Sequence, residues 1–224
     1  MSTESVTTNN TVTKNTSKQT GTVKRVNVRY LTMTAMLSAI AFILMFFDFS
    51  VPFMPSFIQL DISELPALIG AFAMGPVSGV AICLIKNVLH LLMTATGGVG
   101  ELSNFVLGAA FVLPAGLIYN IKKTRKSALV GSLIGAFAMA IISVISNYFV
   151  VYPFYTAFMP TEGIIAMYNA IASVVGGHMD SLLECLVVFN MPFTFFKGMI
   201  SVGITFVIYK HISPIIKGSS SRKN

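Results

Sequence analysis

The stretch CLIKNVLHLLMTATGGVGELSNF, Cys83 to Phe105, sets Lys86, Asn87 and His90 inside an apolar run. It breaks at a glycine loop and re-enters an apolar run through Glu101 and Asn104. Lys197 interrupts a second apolar run, MPFTFFKGMI, with Thr194 three residues before it, and Asn147 stands near the end of a third. A cation at bilayer depth costs about 2.5–3.5 kcal/mol on insertion scales, so such a residue marks a functional site by default. The chemistry these groups could do is narrow. There is no G-x-x-x-x-G-K-[ST] phosphate loop, no H-E-x-x-H and nothing like a nucleophile motif. Three histidines and two distant cysteines make a poor metal site. No enzyme activity is expected. Amides, ammonium groups and a carboxylate converging in an apolar, aromatic setting suit the capture of a small molecule by hydrogen bonds, with Phe53, Phe57, Tyr152, Phe154, Phe193 and Phe196 as sources of planar contacts.

The elements that must position these groups are membrane helices. Of 224 residues, 54% are hydrophobic and only 10% charged, and mean hydropathy is +0.78; soluble domains carry about 25% charged residues. The expected fold class is an all-α integral membrane protein with a bundle of six transmembrane helices over 30–210. Flanking it are a polar, disordered tail at 1–29 and a short tail at 211–224. Spans are placed at 30–47, 64–74, 76–94, 101–121, 127–151 and 188–210. Ser63 before Glu64 marks a helix start, and Pro76 suits the first turn of the third span. The segment EGIIAMYNAIASVV reads as an interfacial or partly buried helix. Cys83 and Cys185 lie in apolar segments and read as small core residues.

The charges set the orientation. Lys14, Lys18, Lys24, Arg25 and Arg29 precede span one, KKTRK follows span four, and Lys210, Lys217, Arg222 and Lys223 follow span six. With six spans all three groups share one side, which the positive-inside rule makes the cytoplasm, with both termini. Only Lys86 and Lys197 remain inside spans. They then fall, with Glu101, Asn104 and Asn147, in the outer layer. Three readings of Lys86 compete: it snorkels to the outer headgroups, it forms a structural ion pair with Glu101, or it serves a ligand. Asn147 can equally be interhelical glue. Small residues such as Gly108, Gly131, Gly135 and Ala136 allow close helix packing, and Ala35-x-x-x-Ala39 in span one does the same for an internal neighbour or for another subunit. No internal repeat is evident, which weighs against a self-sufficient alternating-access carrier.

LDISELPALIGAFAMGPVSGVAICLIKNVLHLL, TGGVGELSNFVLGAAFVLPAGLIY and PFTFFKGMI together resemble the riboflavin-specific substrate-binding (S) component of energy-coupling factor (ECF) transporters, over about residues 30–210. The KN…H…GGVGELSNF block is its most specific part. The resemblance implies a six-helix S component in a bacterial cell membrane that takes riboflavin from outside. It docks onto a transmembrane coupling subunit and two ATPase subunits, which supply ATP hydrolysis, and it has no cofactor of its own. It implies that Asn147 and Lys197 hydrogen-bond the flavin, that Lys86 is the lysine of the KN motif, and that Ala35 and Ala39 face the coupling subunit. Where the family often has Asn-x-x-Lys in span six, Thr194 stands at the Asn position with a shorter donor and acceptor. Glu101 and Asn104 suit the ribityl hydroxyls. The alternatives are an S component for another vitamin, a proton-linked secondary carrier and an intramembrane enzyme.

Overall fold

The computed structural model describes residues 28–51, 59–94, 96–157, 160–173 and 176–217. Helix α1 (Val28–Met45) leads into a two-residue antiparallel pairing of β1 (Phe49–Ser50) with β2 (Gln59–Leu60). Then follow α2 (Glu64–Met74), α3 (Pro76–His90, extended by a 3-10 turn over Leu91–Met93), α4 (Val99–Ile121) and α5 (Arg125–Ser146). A π turn, Asn147–Val151, carries α5 into α6 (Tyr152–Tyr155). After α7 (Thr161–Ala172), α8 (Leu182–Cys185) passes through a second π turn, Leu186–Asn190, into α9 (Met191–Lys217). The helix α9 therefore runs past the anticipated boundary at 210. At the other end α1 takes in Val28 and Arg29, which the expected tail at 1–29 included; the rest of both tails lies outside the described residues, as do Phe53 and Phe57.

Among the described residues, five helical stretches are long and apolar enough to cross a membrane: Val28–Met45, Pro76–Met93, Val99–Ile121, Arg125–Tyr155 and Leu182–Ile208. The sixth, α2, has 11 residues. At about 1.5 Å per residue it rises about 16 Å, roughly half of a 30 Å hydrocarbon core. It is nevertheless the most enclosed helix, with every residue from Glu64 to Phe72 buried. Gly75 explains how it returns so abruptly into α3. Its φ of +107° lies where L side chains rarely go, its N–H closes the end of α2 on Ala71 O at 3.0 Å, and Pro76 starts α3 with a pre-set φ.

The main core joins α1, α2, α3, α4, α5 and α9 through Leu37, Leu68, Ile82, Phe111, Val112, Ala136, Met139 and Val202. The contact of α4 with α5 is backbone-close: a Cβ on Gly135 would collide with Phe111 O, and one on Gly131 would meet Ala115 O at 2.9 Å. A second, smaller core under α7 gathers Tyr152, Ile164, Tyr168, Cys185 and Leu186. The outward faces carry large apolar residues such as Leu92, Phe137 and Val207, as a lipid-facing surface requires. On α1 the buried side is Thr34, Leu37, Ser38, Ala41 and Met45, whereas Ala35 and Ala39 are exposed.

Candidate functional site

One end of the bundle holds a cavity of about 330 Å³. Its wall is assembled from the end of α1, β2, the residues before α2, the end of α3, the start of α4, the α5 π turn and the start of α9. Glu101, Asn104, Asn147, Thr194 and Lys197 all line it, so five residues from three separate segments meet in one space. Tyr152 and Phe193 line it as well, whereas Phe196 is 62% exposed on the bundle exterior.

Lys86 corrects the sequence reading. It is completely buried and is absent from the cavity wall. Its ammonium neither snorkels nor reaches Glu101; it lies 3.1 Å from Glu64 Oε1 and donates to Ser63 Oγ. The physical reason is the α2–α3 turn. Glu64 stands eleven positions before Gly75 and Lys86 eleven after it, so two antiparallel helices folded at that glycine bring them to the same height. Glu101 is satisfied elsewhere. His90 Nδ1 lies 2.9 Å from Oε1, and Thr94 and Thr96 Oγ1 donate to Oε2 at 2.9 and 3.1 Å. Those hydroxyls also accept from the Gly98 and Gly100 N–H groups, both near 3 Å, so Glu101 ties down the glycine loop that opens α4.

Lys197 is the counterpart of Lys86 across α2. Its Nζ donates to Asp61 Oδ2 at 2.7 Å and lies 3.7 Å from Glu64 Oε2. Asp61 in turn accepts from the Ser63 N–H at 2.9 Å and from its hydroxyl. Ser63 stands at the predicted start of α2, yet its side chain makes no cap bond; it bridges Asp61 to Lys86. Two cations and two carboxylates therefore form one buried, charge-balanced cluster. Burial pushes the Asp61 carboxyl up, but the Lys197 and Lys86 ammonium groups more than reverse this and hold it well below the ordinary carboxylate range.

Sequence reasoning passed over Asp61, Glu64 and Asn190, which also line the cavity with Asp48 and Gln59. A signal existed for the first two. Two lysines inside apolar spans each require a counter-charge, and D-I-S-E is the acidic pair placed where the chain turns into its shortest helix. Asn190 had no such signal, because it closes a π turn that composition does not mark.

The model of the family "ECF transporter, substrate-specific component" matches residues 29–209. The "Riboflavin transporter RibU" of Staphylococcus aureus (strain TCH60) is 36% identical over 191 residues, spanning 85% of this chain and 93% of that protein. The "Riboflavin transporter FmnP" of Bacillus subtilis (strain 168) is 32% identical over 198 residues, 87% of this chain and 97% of that protein. A solved structure described as "Structure and mechanism of the S component of a bacterial ECF transporter" superposes with a TM-score of 0.67 at 32% identity, covering 86% of this chain and all of that one. A bundle of apolar helices with a short buried second helix, a polar cavity at one end and similarity along nearly the whole chain place this protein among the substrate-specific components of ECF transporters.

Proposed function

We propose that this chain is the riboflavin-binding subunit of an ECF-type uptake transporter in a bacterial cell membrane, and that it captures the vitamin in the cavity between α1, α4, α5 and α9. The observation that carries the reading is the convergence of Asn104, Asn147, Thr194 and Lys197 on one cavity of about 330 Å³, a size within the usual range for small-molecule sites. The relatives named riboflavin transporters support the ligand. An isoalloxazine is planar and apolar on its faces, with carbonyl and imino acceptors along its edges. Phe193, Met139 and Leu107 on the cavity wall suit the faces, and amide and ammonium donors suit the edges. Lys197 has three N–H groups; Asp61 takes one and Glu64 stands near another, which leaves donor capacity for a ligand and fixes where the ammonium sits. Lys86 acts through Glu64 as a positioning residue. Glu101 shapes the wall by holding the glycine loop, and its lone pairs face the ribityl hydroxyls.

The chain performs no covalent chemistry. Release inside is driven by ATP hydrolysis in partner subunits, a transmembrane coupling protein and two ATPases. Ala35 and Ala39, exposed side by side along α1, form the close-contact surface for the coupling subunit. The chain crosses six times, with both termini and KKTRK in the cytoplasm. Quenching of riboflavin fluorescence on titration with the detergent-purified protein tests the ligand. Saturable, stoichiometric quenching is expected, and its absence would remove riboflavin as the substrate.

A further inference from the structure

The polar residues on the cavity wall are mostly satisfied by one another. Glu101 bonds His90 and Asp61 bonds Lys197 within the wall, and Ser103 Oγ lies 3.1 Å from Oγ of Ser146 behind it. Two buried atoms of wall residues lack a hydrogen-bond partner among the described residues, Glu64 Oε2 and Asn190 Nδ2. Glu64 Oε2 has the Lys197 ammonium 3.7 Å away, whereas Asn190 is not in the charged cluster and is 3% exposed. A buried amide left unpaired is costly, and native proteins leave few of them. Each such group calls for a partner outside the fold or for a role.

Two further observations favour a ligand. Asn190 is the last residue of the π turn Leu186–Asn190, and Asn147 is the first residue of the π turn Asn147–Val151. Both line the same cavity. Single π turns inside α-helices are rare and concentrate at functional sites, where the extra residue re-aims a side chain. Asn190 also precedes Thr194 by four residues and Lys197 by seven, the spacing of one helix face, so the end of the π turn and the start of α9 together present an amide, a hydroxyl and an ammonium to the cavity. A role as glue between helices would need a protein partner for the amide, and Nδ2 has none among the described residues.

We propose that Asn190 is a ligand-contacting, specificity-determining residue whose Nδ2 donates to a carbonyl or imino acceptor of the bound flavin. This rests on the riboflavin reading above. The amide is poised in the ligand-free protein and is satisfied when the ligand enters.

The experiment compares the unmodified protein with Asn190→Leu and Asn190→Asp, using riboflavin quenching for affinity and thermal unfolding for ligand-free stability. Asn190→Leu should weaken riboflavin binding about ten-fold to a hundred-fold, the cost of one lost bond to a buried edge. It should leave the ligand-free melting temperature unchanged or raise it, because an unpaired buried amide has been replaced by an apolar isostere. A purely structural asparagine would give the opposite signature. Asn190→Asp keeps the shape and an acceptor but loses the donor, so it should weaken binding at least as much. Both variants binding like the unmodified protein would overturn the proposal. So would affinity lost only in step with a lower ligand-free melting temperature. If the unmodified protein fails to quench riboflavin, the riboflavin reading fails and this inference with it. If it quenches and Asn147→Leu weakens binding while both Asn190 variants do not, this inference alone fails.

Discussion

The four-charge cluster of Asp61, Glu64, Lys86 and Lys197 carries opposite consequences for its two lysines. Lys197 lines the cavity, whereas Lys86 stands behind Glu64 and is fully enclosed. Loss of one hydrogen bond to a buried ligand edge costs about 1–3 kcal/mol, and about 1.4 kcal/mol is tenfold in affinity. Lys197→Met and Asn147→Leu should therefore each weaken riboflavin binding about ten-fold to a hundred-fold in the quenching titration, with Lys122→Met unchanged as a control. Unaltered affinity in both, in protein that is otherwise folded, would place the site elsewhere. Lys86→Met should act first on stability. It leaves Glu64 with only the Lys197 ammonium at 3.7 Å, which Asp61 already holds, so two buried carboxylates share one cation; breaking a buried pair from one side costs about 3–5 kcal/mol. The double variant Lys86→Met with Glu64→Leu removes both charges and should recover most of the lost melting temperature. A double variant as unstable as the single one would show that Glu64 is not the group left stranded. The pH dependence follows from Asp61, whose carboxyl is held below its ordinary range. Its contribution is present in full above the unfolded value near 3.9 and fades only as pH falls through the lower folded value. Riboflavin affinity should thus stay level between pH 8 and pH 5 as far as the Asp61–Lys197 pair decides it; a break within that window that Asp61→Asn abolishes would contradict this.

At the scale of the element, apolar run length and punctuation made the helices legible. Glu64–Met74 and Pro76–His90 begin at the residues that Ser63 and Pro76 announce, whereas α5 starts at Arg125, inside KKTRK and two residues before the expected 127, because Thr124 caps it by accepting from the Ser127 N–H. Three things were not legible. A π turn adds one residue to a helix turn without changing composition, so neither Asn147–Val151 nor Leu186–Asn190 could be seen. The pairing of Lys86 was misread because Glu101 is a carboxylate on the next helix, whereas the true partner is set by reflection about Gly75. The buried amide of Asn190 sits in LLECLVVFN, where periodicity is lost under uniform hydrophobicity. Exposure adds something that sequence could not decide about α1. Ala35 and Ala39 do not pack the internal core. Bulk there should leave the cavity intact and block close approach of another helix. Ala35→Trp or Ala39→Trp should abolish uptake in cells while the purified protein quenches riboflavin as before. Equal loss of binding in the isolated protein would mean that α1 acts through the cavity.

The whole molecule is polar from end to end in two different senses. Its buried charges, Asp61, Glu64, Lys86 and Lys197, balance one another at the cavity end. The exposed cations of KKTRK lie between α4 and α5 at the other end, and the sequence carries most of its remaining lysines and arginines in its terminal segments, for a formal net charge of +7. Lysine and arginine left in the cytoplasm set membrane topology, while a balanced internal cluster exerts little such bias. The cavity end should therefore face outward, and KKTRK and both termini inward. Single-cysteine labelling checks this directly, because the native Cys83 and Cys185 are both buried and should give little background. A cysteine introduced by Ser127→Cys, or by Ser221→Cys near the C-terminus, should resist a membrane-impermeant thiol reagent in intact cells and react once the membrane is opened. One introduced by Thr161→Cys, at the start of α7, should react in intact cells. The reverse pattern would invert the molecule and put the cavity on the cytoplasmic side, where it could release the vitamin but not capture it.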